Sequence, residues 1–130
     1  MAPKMTAAEA YLSSSVENAP PIKIVRLLYQ GALRFLGQAA LEDCTDPKSR
    51  FVPLLSDADA IVAELRLALD RTAGSEEVVG NLERLYLFCE GEIQRAMLDR
   101  SAEPIQGVRS VLETLLEAWS KVEVEAGRAA

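Results

Sequence analysis

Histidine is absent from this chain of 130 residues, and glycine, cysteine and aromatic residues are few. The missing imidazole removes the commonest general base and the commonest metal ligand, including the histidine of the usual Glu-x-x-His metal centre in four-helix bundles. The glycines Gly74, Gly80, Gly91 and Gly107 stand alone, without the spacing of a nucleotide-binding loop. The sequence therefore predicts no enzyme activity, no metal and no cofactor.

Basic residues are also in the minority, since 14 Lys and Arg stand against 20 Asp and Glu, for a formal charge of −6. Nucleic acids and anionic membranes are bound through clustered Lys and Arg, so neither is an expected partner. No apolar run approaches the roughly 20 residues that span a bilayer, and residues 1–5 lack the apolar centre of a secretory signal. We expect a soluble, cytoplasmic protein without membrane insertion.

The two cysteines, Cys44 and Cys89, are far apart in sequence and form no Cys-x-x-Cys motif. Cytoplasmic cysteines stay reduced as a rule, and Cys89 falls at a core position of a predicted helix. Two free thiols are therefore expected rather than a disulfide.

Apolar residues recur at three- and four-residue spacing through most of the chain, which is typical of amphipathic helices. Thr6 and Glu9 have the spacing of a capping box before a short first helix, and Pro21 suits the first turn of the second. Ser75 is expected to cap the fourth helix and Pro104 to open the fifth. The five helices are predicted at residues 7–16, 21–41, 54–71, 76–99 and 104–124. Short connections favour an all-α fold, an antiparallel four-helix bundle with the short N-terminal helix packed across it.

The length suits a single helical-bundle domain over residues 1–130, with 1–5 and 126–130 expected to be disordered because they have little to bury. The predicted core stripe of the fourth helix is Val78, Leu82, Leu85, Tyr86, Cys89, Ile93, Ala96 and Met97. The predicted seam of the fifth is Ile105, Val108, Leu112, Leu115, Trp119 and Val122.

Three carboxylates, Glu76, Glu83 and Glu90, are spaced seven residues apart on one side of the fourth predicted helix. One interpretation is a catalytic or metal-binding set. The preferred interpretation is a solvated face, because Arg84 and Arg95 lie nearby at helical spacing.

The second predicted helix carries more large apolar side chains than one face can bury. One stripe consists of Val25, Leu28, Tyr29, Ala32, Leu36 and Ala39. Another, rotated around the axis, consists of Ile24, Leu27, Leu28, Gly31 and Phe35. A helix packed on one side needs only one such stripe. The helix therefore lies either in the middle of the bundle or has a face left open for a partner.

Taken in order, the segments resemble the flagellar export chaperone family, FliS. The N-terminal similarity is carried by Tyr11, Ser15, Val16, Ala19 and Pro20, and that of the second helix by residues 28–36. Further similar positions are Ala58, Ile61, Val62, Glu64, Leu65, Leu69 and Asp70, then Asn81, Leu82, Leu85 and Tyr86, then Val111, Leu112, Leu115 and Trp119. Gln30 departs from the family pattern, which usually has an acidic residue there. Leu87 and Phe88 depart from it as well, because a more polar pair is expected after Tyr86.

The resemblance implies a cytosolic export chaperone that binds the disordered C-terminal segment of flagellin in an apolar groove between helices. Such a chaperone prevents premature polymerisation and aids delivery to the flagellar type III export gate. A component of that gate is an implied partner, and a co-chaperone is left open.

The resemblance also implies that the segment around Tyr11 lies near the binding pocket and is able to cover it. The residues expected to bind the partner are Tyr11, Val16, Ile24, Leu27, Leu28 and Phe35, with Leu87 and Phe88 as additions. The alternative is a self-associating structural or regulatory helical bundle that does not bind flagellin.

Overall fold

The computed structural model describes residues 21–69 and 75–129, and side chains over 23–69 and 75–125. This part of the chain forms four helices, α1 (Pro21–Ala40), α2 (Phe51–Leu67), α3 (Glu76–Asp99) and α4 (Glu103–Ala129), and contains no strand. The all-α prediction is therefore confirmed over these residues. The predicted short helix at 7–16 lies outside the described residues.

The helices form a ring in which α1 and α3 each pack against α2 and α4. Arg26, near the start of α1, pairs with Glu123, near the end of α4, over 2.8 Å between Nε and Oε1. These two helices therefore run in opposite directions. The prediction of a four-helix bundle is confirmed, and α1 and α3 occupy diagonally opposite corners.

The start of α2 differs from its prediction. The helix begins at Phe51, three residues before the predicted Leu54, and the Phe51 side chain is fully buried. Pro53 lies inside the first turn, where its missing N–H would have had no helical partner.

α2 also ends early, at Leu67 rather than at the predicted residue 71. The starts of α3 and α4 follow the local signals more closely. Ser75 caps α3, and its Oγ accepts a hydrogen bond from the backbone N–H of Val78, as predicted. α4 begins at Glu103, one residue before Pro104. It continues to Ala129, beyond the predicted end at residue 124, because Glu, Ala and Arg in the last turns all favour helix.

The core is built from the inward stripe of each helix. On α1 this is the first of the two stripes, since Val25, Tyr29, Ala32, Leu36 and Ala39 are buried. Trp119 on α4 is buried as predicted. Leu85 was predicted to lie in the core, but it is 36% exposed. Val78 was also predicted to lie in the core, but the buried valine of α3 is Val79. Leu85 lies on the flank of α3 that faces α4.

Gly31 marks a close approach of α1 to α2. A Cβ atom built there would lie 3.3 Å from Cδ1 of Ile61, whereas one built at Gly37 on the same helix meets no described atom within 4 Å. A helical Gly→Ala change is worth up to about 1 kcal/mol where space permits. We expect Gly37→Ala to raise the free energy of unfolding by about 0.5–1 kcal/mol and Gly31→Ala to raise it less or lower it, because Ile61 must move.

Urea denaturation of the two single variants and the parent protein measures this difference. Equal stabilisation by both substitutions would show that α1 and α2 are not in close contact at Gly31.

Candidate partner-binding surfaces

The outward side of α1 presents large apolar side chains to solvent. Ile24 and Leu27 are 49% and 51% exposed, and Leu28 and Phe35 are half-buried beside the buried Gly31. We call Ile24, Leu27, Leu28 and Phe35 the α1 face. It corresponds to the second stripe of the sequence pattern, so α1 is not enclosed in the middle of the bundle. Of the two interpretations, the open face is the one that the structure contains.

The α1 face is not equally open along its length. The Arg34 guanidinium carbon lies 5.6 Å from the centroid of the Phe35 ring, within the range of a cation–π contact. This contact covers part of the ring, whereas Ile24 and Leu27 expose about half of their surface. The N-terminal half of α1 therefore offers the most accessible apolar area.

Leu87 and Phe88 on α3 form a second apolar surface, which we call the α3 face. They are 49% and 48% exposed. Because α1 and α3 are diagonal in the ring, the α3 face does not join the α1 face. The structure therefore places the predicted residues on two separate surfaces. Tyr11 and Val16, the remaining predicted binding residues, lie outside the described residues.

A shallow cleft of about 290 Å³ lies between α3 and α4. It is lined by Leu85, Ser110, Val111, Thr114 and Leu115. Sequence analysis missed it, because Leu85 and Leu115 were assigned to the core. Leu85 lies three residues before Phe88 and therefore on the same side of α3. This spacing was the one indication in the sequence that Leu85 borders an exposed surface.

A cluster of hydrogen-bonded aromatic side chains crosses the interior of the bundle. The hydroxyl oxygens of Tyr29 and Tyr86 lie 2.5 Å apart, and Trp119 Nε1 donates to the Tyr29 hydroxyl over 3.1 Å. Burial raises the pKa of Tyr86 far above its ordinary value, and the neighbouring Tyr29 adds to the shift. The cluster therefore connects α1, α3 and α4 through hydrogen bonds.

The prediction that Glu76, Glu83 and Glu90 form a solvated face on α3 is wrong for Glu90. It is buried, and its two carboxylate oxygens accept hydrogen bonds of 2.6 and 3.2 Å from Arg66 of α2. These bonds raise the pKa of the Arg66 guanidinium. Glu76, at the start of α3, is exposed as predicted. Glu90 differs from it because its side of the helix faces α2.

Comparison with known proteins decides the family. The profile of the family described as Flagellar protein FliS matches residues 4–126. The chain belongs to the FliS family. Flagellar secretion chaperone FliSB of Pseudomonas aeruginosa is 31% identical over 113 residues, which cover 85% of this chain and 87% of that protein.

Two further FliS relatives agree with this assignment. Flagellar secretion chaperone FliS of Campylobacter jejuni is 31% identical over 87% of this chain and 88% of its own length. The protein of the same name from Salmonella typhimurium is 28% identical over 92% of this chain and 88% of its own length. FliS is a family of flagellar secretion chaperones and not an enzyme class, which agrees with the export-chaperone class that the sequence resemblance implies.

The described part of this FliS chain contains neither a membrane-spanning helix nor a cluster of metal-ligating side chains. Its helices there include none long and apolar enough to cross a membrane. Over the same residues, no three His, Cys, Asp or Glu side chains are grouped as metal ligands would be.

The two cysteines of the FliS chain are free, as predicted. Cys89 is buried, and this burial, with a smaller effect of the neighbouring Glu90, raises the pKa of its thiol to about 12. Cys44 is only partly buried in the connection between α1 and α2.

Proposed function

We propose that this protein binds the disordered C-terminal segment of flagellin in the cytoplasm and keeps flagellin from polymerising prematurely. The bound flagellin is then delivered to a component of the flagellar type III export gate, without catalysis. The observation that carries the proposal is the exposed α1 face, with Ile24 and Leu27 half-exposed on a helix whose other stripe already fills the core. Membership of the FliS family supports a secretion chaperone as the class.

The exposed area determines how the partner must bind. Full burial of a large aliphatic or aromatic side chain is worth about 2 kcal/mol, so the exposed half of each is worth about 1 kcal/mol. Ile24, Leu27, Leu87 and Phe88 together supply about 4 kcal/mol, while ordering a disordered segment costs about 2 to 5 kcal/mol. One face alone does not offset that cost. The partner must cover both faces, and burial of the half-buried residues beside them contributes the rest of the free energy that offsets the ordering cost.

The geometry of the ring favours an extended partner over a single helix. Because the α1 face and the α3 face lie on diagonal corners, one straight helix cannot contact both. Helix axes about 10 Å apart give a path of roughly 40 Å around half of the bundle, which about 12 extended residues can span. A disordered C-terminal segment has the length and the freedom to wrap in this way.

Calorimetric titration with a peptide of about 40 residues from the C-terminus of the organism's flagellin tests the proposal, since that length spans both faces. We expect one-to-one binding with a negative heat-capacity change, because apolar surface is buried. A peptide of the same composition in scrambled order is the control. No binding by the folded protein would contradict the proposal. A tight dimer in light scattering that ignores the peptide would support the self-associating bundle instead.

A further inference from the structure

The two apolar stripes of α1 raise the question of what decides which one faces the core. The buried stripe contains Val25, Tyr29, Ala32, Leu36 and Ala39, the outer one contains Ile24, Leu27, Gly31 and Phe35, and the half-buried Leu28 lies between them. The large side chains of the two stripes offer comparable apolar surface, and burial free energy is roughly proportional to that surface. At 3.6 residues per turn, a rotation of α1 by roughly a third of a turn would bring the outer stripe to the core and carry the buried stripe out of it. Hydrophobic burial therefore distinguishes the two orientations only weakly.

Polar contacts of α1 do distinguish the two orientations. The Tyr29 hydroxyl is fully buried and bonds to Tyr86 on α3 and Trp119 on α4. Rotation of α1 would carry this hydroxyl away from both partners, and water in the interior cannot replace the two bonds. The Arg26–Glu123 pair also opposes rotation, but both side chains are more than a quarter exposed, where ion pairs contribute little.

We propose that Tyr29 is a positioning residue whose buried hydroxyl selects the orientation of α1 and so keeps Ile24 and Leu27 at the surface. The proposal deepens the proposed function, on which its biological meaning rests, because the α1 face is the surface offered to flagellin. Without the hydroxyl, the outer stripe competes for the core and the protein closes its own binding surface. Tyr29 acts here through its partners and does not need to contact flagellin.

Thiol labelling of the free protein tests this proposal without flagellin. The background carries Cys44→Ser, and Cys89 is kept because it is buried. One reporter protein carries Leu27→Cys on the outer stripe and another carries Val25→Cys on the buried stripe. Each is reacted with iodoacetamide with and without Tyr29→Phe. We expect Tyr29→Phe to slow labelling of the Leu27→Cys thiol at least threefold and to accelerate labelling of the Val25→Cys thiol at least tenfold.

Opposite changes at the two reporters separate rotation from simple destabilisation, which accelerates labelling at both. Parallel acceleration, or no change at either reporter, would overturn the proposal. Tyr86→Phe leaves the bond from Trp119 to Tyr29 in place, and we expect the same directions with smaller changes. If Tyr29→Phe does not fold, Trp119→Phe removes the indole donor and must shift both reporters in the same directions. Flagellin binding is measured separately, so failure of this proposal leaves the proposed function standing.

Discussion

Introducing Ile24→Asp and Leu27→Asp together is expected to weaken binding of the C-terminal flagellin peptide at least 100-fold. Both side chains are half-exposed, so the free protein accommodates the carboxylates in water and its helical content stays unchanged. In the complex, the partner would cover two charges without paired donors, at a cost of at least about 1 to 3 kcal/mol for each. Loss of the apolar burial of each exposed half adds about 1 kcal/mol. The two changes together therefore cost at least about 4 kcal/mol, which exceeds 100-fold because 1.4 kcal/mol is a factor of ten. Calorimetry measures the affinity, and far-UV circular dichroism measures the helical content.

The matched control carries Leu41→Asp and Leu98→Asp, at leucines that are 87% and 84% exposed. Leu41 lies in the connection after α1, and Leu98 lies about 15 Å beyond Phe88 along α3, at 1.5 Å per residue. We expect the control to bind within threefold of the parent protein. Equal affinities for the two double variants would show that the α1 face is not the binding surface. Unfolding of the Ile24→Asp, Leu27→Asp variant would show that these side chains belong to the core.

Raising the pH from 8 to 11 is expected to lower the free energy of unfolding by about 4 kcal/mol through the buried acids Cys89 and Tyr86. The unfolded chain ionises these groups near their ordinary pKa values of 9.0 and 10.0, whereas burial raises both pKa values in the folded protein, that of Cys89 to about 12. Their stabilisation is therefore complete below pH 9 and is lost as the pH rises towards the folded values. At 1.36 kcal/mol per pH unit, Cys89 accounts for about 3 kcal/mol at pH 11 and Tyr86 for about 1.

Urea denaturation at one-unit steps of pH measures this loss. The Cys89→Ala variant should be less stable at pH 8, because a core atom is removed, but should lose about 3 kcal/mol less between pH 8 and 11. An unchanged pH dependence in Cys89→Ala would mean that the folded protein ionises this thiol as readily as the unfolded chain.

The helices and much of their core could be predicted because both depend on local sequence. The spacing of Val25, Tyr29, Ala32 and Leu36 defines one face of a helix wherever that helix lies. Ser75 caps α3 through a bond to a residue three positions later, so its role needs no tertiary information. These features were predicted correctly because the physics that produces them acts within a few residues.

The exposure of residues on the flanks of the helices was predicted less well, because it depends on which neighbouring helix packs against them. Glu90 was expected in solvent, but α2 places Arg66 beside it. Leu85 was expected in the core, but it borders the open cleft between α3 and α4. Both lie at the edge of the apolar stripe, where a small rotation exchanges exposure for burial. Helical periodicity does not determine that rotation to better than about one residue.

The candidate site also combines a feature that the sequence predicts with one that only the packing of the helices determines. The excess of apolar residues on α1 indicated an exposed surface, and Ile24 and Leu27 are indeed exposed. The separation of Leu87 and Phe88 from that surface could not be inferred, because it depends on the diagonal placement of α1 and α3. The order of helices around a bundle is set by packing between distant segments, which the spacing of residues within one helix does not encode.

Solvent paramagnetic relaxation of isoleucine methyl groups tests most directly whether a partner completes an open apolar surface. Ile24 is 49% exposed, whereas Ile93 and Ile105 are buried and serve as internal references. In the free protein, a soluble gadolinium chelate should broaden the Ile24 methyl signal strongly and spare the other two. On saturation with the flagellin peptide, the Ile24 signal should become as protected as the references. An Ile24 methyl that is already protected in the free protein, or that stays accessible in the saturated complex, would contradict the account.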